Sequence, residues 1–195
     1  MKRTLFLTIL TISTIVSSCK KSDPSGDSNG AYYYEATIDG VKYKVSIPAD
    51  NSDPNLVAGS GIGGSDDVVF SSNVSDYRGN ASEMGISKGV MSDYINSTNQ
   101  EFRNFFAPGN YSYSSLGQNG VTVDWLDKTG KLWSTENAPG LQNGSSFKIV
   151  SIEDKGNPLG ILYIKTTIQF SCKLYDEAGN VKQASGTFVG LFGKI

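Results

Sequence analysis

An all-β fold is the expectation for this 195-residue chain, and three observations predict it. Apolar and polar residues alternate with period two over most of the length, the signature of strands with one buried face. Gly, Asn, Asp and Ser clusters separate the alternating runs at the spacing of turns. There is no internal repeat, and strands do not alternate with helical patterns as a parallel sheet requires. Long one-sided strands suit antiparallel pairing. The expected architecture is an antiparallel β-sandwich, with a lipocalin-like β-barrel as the alternative, built from nine or ten strands and at most one short helix.

The elements follow in order. Tyr32, Tyr34, Ala36 and Ile38 alternate with Tyr33, Glu35, Thr37 and Asp39; beyond Gly40, Val41, Tyr43, Val45 and Ile47 alternate with Lys42, Lys44 and Ser46. Asp-Gly between two such runs is a strong hairpin signal, because both turn positions favour φ > 0, so a hairpin is predicted over 31–47. A short strand is expected at Leu56-Val57-Ala58, another near 67–72, and a weaker one at Met84–Ser87. Residues 99–106 predict a short helix with Phe102, Phe105 and Phe106 inward. A turn at Pro108-Gly109-Asn110 leads to a strand beginning at Tyr111 and Tyr113. Val121, Val123 and Trp125 define the next strand, and Asp127-Lys128-Thr129-Gly130 turns the chain into 131–135. Strands are then expected at about 146–153, 161–175 and 181–192. In the second of these, Leu162, Ile164, Ile168, Phe170, Cys172 and Leu174 share a face that only Thr166 interrupts, so Cys172 reads as a small core hydrophobe.

The first residues have a separate meaning. Lys2 and Arg3 precede an apolar run from Leu5 to Val16, too short to span a bilayer, which needs about 20 residues. Small residues then lead to Cys19 in Val16-Ser17-Ser18-Cys19, where an export signal places its cleavage site. The segment resembles a bacterial lipobox, whose cysteine is diacylated and becomes the new N-terminus. Residues 1–18 are thus expected to be a lipoprotein signal peptide, residues 19–30 a lipidated tether, and 31–195 a single all-β domain. Multiple acyl chains (palmitate among them) anchor stably where one does not. The Ser, Asp, Gly and Asn of 22–30 form a flexible tether reaching on the order of 20 Å.

Composition excludes several functions. Loss of 1–18 leaves 15 of the 17 basic residues against all 19 acidic ones, a net charge of −4. No basic stripe is evident, so nucleic acid is not expected as a partner. With Cys19 committed to lipid, Cys172 lacks a disulfide partner. The chain contains no histidine, which removes Ser-His-Asp and Cys-His catalysis and the common zinc sites; no cofactor and no metal site are expected.

Motifs that carry chemistry elsewhere read here as structure. Gly59-Ser60-Gly61-Ile62-Gly63-Gly64 matches G-x-G-x-x-G, but aspartates and a strand pattern follow it where a phosphate site needs a helix N-terminus. Ser145-Ser146-Phe147-Lys148 and Lys128-Thr129-Gly130 match serine-enzyme motifs, but in reversed order, on a strand and a turn. Asp50, Asp53, Asp66 and Asp67 have no EF-hand spacing and read as turn residues. Glu35, Asp124 and Glu153 are the strand-borne acids that could form a glycosidase pair. Tyr33, Tyr111, Tyr113, Trp125 and Trp133 could form a stacking platform for sugar rings, with ordinary strand packing as the competing role.

Six segments also carry a resemblance: the lipobox through Cys19, Ala36-Thr37-Ile38-Asp39-Gly40, Pro108-Gly109-Asn110-Tyr111, Ser146-Phe147-Lys148-Ile149, Phe170 through Asp176, and Ser185-Gly186-Thr187-Phe188. Together they resemble lipoproteins of Bacteroidetes that have an all-β domain and no assigned activity. The resemblance implies an outer-membrane location, lipid-anchored, and transfers no residue roles. Acidic residues directly after the acylated cysteine favour surface display in such proteins; Lys20 and Lys21 stand there instead, so surface and periplasmic faces both stay open. The expectation is a non-enzymatic lipoprotein that binds a glycan or a protein partner. A small polysaccharide hydrolase with paired carboxylates and a carrier for an apolar small ligand are the alternatives.

Overall fold

The computed structural model describes residues 31–48, 53–64, 66–78, 82–156 and 160–194. Cys19, the leader and tether before residue 31, and Asp50 lie outside them. The fold is all-β. Among the described residues, eleven strands, one or two more than the alternation suggests, form one antiparallel sheet: β1 (Tyr32–Ile38), β2 (Val41–Ile47), β3 (Leu56–Gly63), β4 (Val68–Asp76), β5 (Ser82–Met91), β6 (Gly109–Asn110), β7 (Gly120–Leu126), β8 (Leu132–Ser134), β9 (Ser146–Gly156), β10 (Leu162–Tyr175) and β11 (Val181–Lys194). The order is β2-β1-β11-β10-β8-β7-β5-β4-β3, with β9 branching from β10 and β6 pairing β9. The expected sandwich gives way to a single sheet curled into a nearly closed barrel.

The local expectations hold where turn chemistry is strong. Asp39 and Gly40 have φ of 47° and 78° and join β1 to β2. Asp127 closes the β7–β8 turn by accepting from the backbone N–H groups of Thr129 and Lys131. The Asp53 carboxylate accepts from the Asn55 N–H, the expected turn role. Strand lengths differ more. β3 absorbs the glycine-rich run as far as Gly63, and β5 extends well beyond 84–87. The strand expected from Tyr111 and Tyr113 shrinks to Gly109–Asn110 plus a single bridge between Tyr113 and Val121.

Barrel closure depends on side chains as well as on the ladder. β1 accompanies β11 only as far as Val189. The Leu191 and Gly193 N–H groups beyond it donate to Ser72 Oγ (2.9 Å) and Ser60 Oγ (3.0 Å), which tie the β3–β4 end of the sheet to β11. Gly190 permits this approach, because a Cβ there would lie 2.4 Å from Ser72 Oγ. Where β10 passes from β9 to β8, the Gln142 side-chain amide exchanges two hydrogen bonds with the Lys173 backbone in place of a strand. Both devices satisfy backbone groups that would otherwise lack partners.

The interior is filled rather than hollow. Tyr34, Phe70, Phe102, Phe106, Phe147 and Phe188 are wholly buried in one apolar cluster. The open interior that an apolar carrier needs is therefore occupied by side chains. Cys172 is buried in the same cluster, and burial pushes its thiol up to about 12. One end of the barrel is stoppered by the helix α1 (Asn99–Phe105), whose start carries a reciprocal Thr98–Glu101 capping box. Phe102 and Phe106 stack edge-on against Phe70 at 5.1 and 5.7 Å, and Arg103 holds Asp154 across to β9 at 2.7 Å.

Candidate functional site

The outer face of β4, β5, β7 and β8 carries a polar groove of about 480 Å³. Strand register builds it. Asn73, Gly85, Asp124 and Ser134 stand opposite one another in a row across the four strands. Ser71, Ser87 and Thr122 form the row on one side, and Ser75 and Glu83 lie on the other. Gly85 has no side chain, which leaves a floor between Asn73 and Asp124. Glu136 and Asn137, directly after β8, supply one wall, and the exposed Leu132 contributes the principal apolar surface.

Hydrogen bonds orient these groups. Asn73 Nδ2 donates to Ser75 Oγ (3.1 Å), which donates to Glu83 Oε2 (2.5 Å). Ser134 Oγ donates to Asp124 Oδ1 (2.5 Å) and accepts from the Glu136 N–H (2.9 Å). Glu136 Oε1 accepts from the Leu116 N–H, and Asn137 Nδ2 donates to the Tyr175 carbonyl. Burial, supported by the nearby Glu136 and Glu83 charges, raises the Asp124 carboxyl to about 6, against the stabilising Ser134 hydrogen bond. Convergent polar groups around one strongly displaced carboxyl mark this groove as the candidate ligand site.

The expected site residues are dispersed. Asp124 lies in the groove, but Glu35 and Glu153 are exposed elsewhere and pair with Lys44 and Lys155. Trp125 and Trp133 are 3 % and 7 % exposed and face each other across β7 and β8, so they pack in the core and form no open stacking surface. The Tyr111 hydroxyl donates to the Ala107 carbonyl, and the Tyr113 hydroxyl contacts the Ser146 and Ser171 carbonyls. Tyr33 is half-buried on the outer face of β1, with none of the other four beside it in the sheet register. Glu83, Glu136, Asn73 and Asn137 are not among the residues that the sequence singles out. The readable signal was Glu83-Met84-Gly85-Ile86-Ser87, an outward glycine between outward polar residues; its partners across the sheet come only from the register.

Among the described residues no group of three or more acidic or cysteine side chains is placed to hold a metal ion, and no helix is long and apolar enough to cross a membrane. Fold and groove together define an antiparallel barrel-like domain with an acidic polar cleft on its outer wall. The chain matches no known protein family, no curated protein and no solved structure.

Proposed function

We propose that this protein is an exported lipoprotein, anchored through acyl chains on Cys19 to the outer membrane, whose barrel binds a neutral glycan in the Asn73–Asp124–Ser134 groove. The observation that carries the ligand assignment is the row of amide, carboxylate and hydroxyl groups around the bare Gly85 floor. Such groups satisfy the paired donor and acceptor demand of sugar hydroxyls. The acidic lining disfavours anionic ligands, and the groove is too polar for an apolar one. A glycan-array screen followed by calorimetry tests the reading, with Asp124→Asn expected to weaken binding. Glycan affinity unchanged by Asp124→Asn, or no glycan binding but capture of a protein, would move the assignment away from sugars.

Stability supplies a second readout of the same residue. The Asp124 carboxyl is raised from 3.8 to about 6. Below pH 3.8 it is protonated in both folded and unfolded chains. Between 3.8 and about 6 only the folded chain holds the proton, so stability falls as pH rises through that window. The penalty is complete above it, up to about 3 kcal/mol. Asp124→Asn, which keeps an acceptor for Ser134, is thus expected to raise stability at pH 7 while lowering affinity, the usual opposition at a binding site. Urea unfolding at pH 4 and pH 7 checks this; equal stabilisation at both values would contradict it.

A hydrolase reading draws on one observation: Asp124 has the displaced carboxyl of a general acid, with Glu83 diagonal to it across β5 and β7. Release of reducing ends from a bound polysaccharide, abolished by Asp124→Asn, would select it. The anchor is tested separately. Cys19→Ala is expected to abolish fatty-acid labelling and to release the domain from membranes; labelling that persists would refute the lipobox.

A further inference from the structure

The opposite wall of the barrel has the reverse electrostatic character. Across β2, β1, β11, β10 and β9, register aligns Lys44, Glu35, Thr187, Gln169 and Lys148 in one row. The adjacent row reads Lys42, Thr37, Ser185, Ser171 and Ser146. All ten side chains are exposed or half-buried, consistent with the outward phase of each strand. At about 4.8 Å between strands, each row is about 20 Å long.

The charge on this face is one-sided. Lys165 and Lys173 continue the β10 face, and Glu153 continues that of β9. With Lys155, which stands beyond Glu153 on the same face, that makes six lysines against two carboxylates, in a chain whose full sequence is net acidic. Glu35 is matched by Lys44 at 3.8 Å, and Glu153 is matched by Lys155 at 2.5 Å. Lys42 and Lys148 are exposed, and the described ion pairs do not include them. Thr37, Ser185, Ser171, Thr187 and Gln169 lie between the lysine-bearing edges. Beside them, Tyr33, Glu35, Thr37, Lys42, Ser185 and Thr187 line a shallow depression of about 440 Å³.

We infer that this wall binds an extended anionic polysaccharide, one bearing carboxylate or sulfate groups, along the two register rows. Charge complementarity selects an anion. The span of the rows requires a chain several residues long. The uncharged hydroxyl and amide side chains between the lysines give the sugar hydroxyls partners, which a headgroup layer would not need. This surface is distinct from the acidic groove, so the two sites take glycans of opposite character and fail independently.

Affinity electrophoresis of the chain through gels holding polygalacturonate, with neutral dextran as control, tests the inference. Retardation by polygalacturonate alone is expected, weakening as salt is raised. The surface variant Lys42→Glu/Lys148→Glu should lose affinity about ten-fold, which corresponds to about 1.4 kcal/mol. Gln169→Ala should weaken binding without changing its salt dependence, and Asp124→Asn should leave it unchanged. Retardation insensitive to the lysine pair, or no retardation, overturns the proposal. So does equal lysine-dependent binding of the Cys19→Ala chain to phosphatidylglycerol vesicles, which would identify the face as a membrane-apposed surface.

Discussion

Phe70→Ala is expected to destabilise the protein by about 3–5 kcal/mol, the range for removing a wholly buried phenylalanine. Phe70 is 0 % exposed and centres a ring cluster, with Tyr94, Phe102, Phe105 and Phe106 at centroid distances of 5.1 to 5.7 Å. Phe70 itself stands on β4, and its neighbours come from the turn before α1, α1 itself and the residue that ends it. A cavity there cannot collapse without moving the helix stopper off the barrel end. The capping box and the Arg103–Asp154 pair are exposed interactions and recover little of that loss. Urea unfolding gives the magnitude, and hydrogen exchange at 99–106 locates it. A cost below about 1 kcal/mol, or exchange unchanged in the helix, would show that α1 is held by something other than this cluster.

The second large effect concerns Lys88. Its side chain points from β5 toward the stoppered end and is 3 % exposed. The ammonium lies 3.7 Å from the Phe105 ring centre and 4.4 Å from that of Tyr111. The described ion pairs do not include it. Burial lowers its pKa from 10.5 to about 8. Below pH 8 both states are charged and the folded state bears the desolvation cost. From about 8 to 10.5 the unfolded chain holds a proton that the folded chain has released, so stability rises with pH. The ceiling is about 3 kcal/mol, and attraction to the two ring faces reduces it. Lys88→Met, close in volume, should remove the rise and stabilise the protein at pH 7. Comparing urea midpoints of both proteins from pH 7 to 10 isolates this residue, because the surface lysines titrate alike in each. Parallel curves would mean that Lys88 is solvated.

Much of the fold is legible in the residues because strand alternation and turn chemistry are local. Asp39-Gly40 specifies its hairpin through positive φ, and the alternation from Leu162 to Leu174 specifies which face of β10 is buried. Cys172 follows from its place in that pattern. Local signals weaken where strands owe their length to neighbours. β3 is a run of small residues with little propensity of its own, held by pairing to β4 and by the Ser60 contact with Gly193. Tyr111 and Tyr113 look strand-like in isolation, yet the Tyr111 hydroxyl turns back to the Ala107 carbonyl, the Tyr113 hydroxyl reaches carbonyls of β9 and β10, and only a bridge forms.

The site is less legible than the fold. Asp124 is a foreseeable candidate because it is a lone carboxylate between apolar residues. Its companions Glu83 and Asn73 are separated from it by 41 and 51 positions and meet it only through register. The tryptophans leave both packing and stacking open in the sequence for a complementary reason: ring chemistry is visible there, but the side of a curled sheet they occupy depends on which strands lie across the barrel.

Composition, period and turn residues alone are enough to define an all-β chain with no histidine chemistry. Those properties belong to single residues and their near neighbours. Three-dimensional pairing had to decide that one sheet curls into a nearly closed barrel instead of two stacking, that acids gather on one wall and lysines on the other, and that aromatic rings fill the middle. Each is a relation between segments far apart in the chain, fixed by register and by where unpaired N–H groups find an acceptor, as Leu191 and Gly193 do at Ser72 and Ser60.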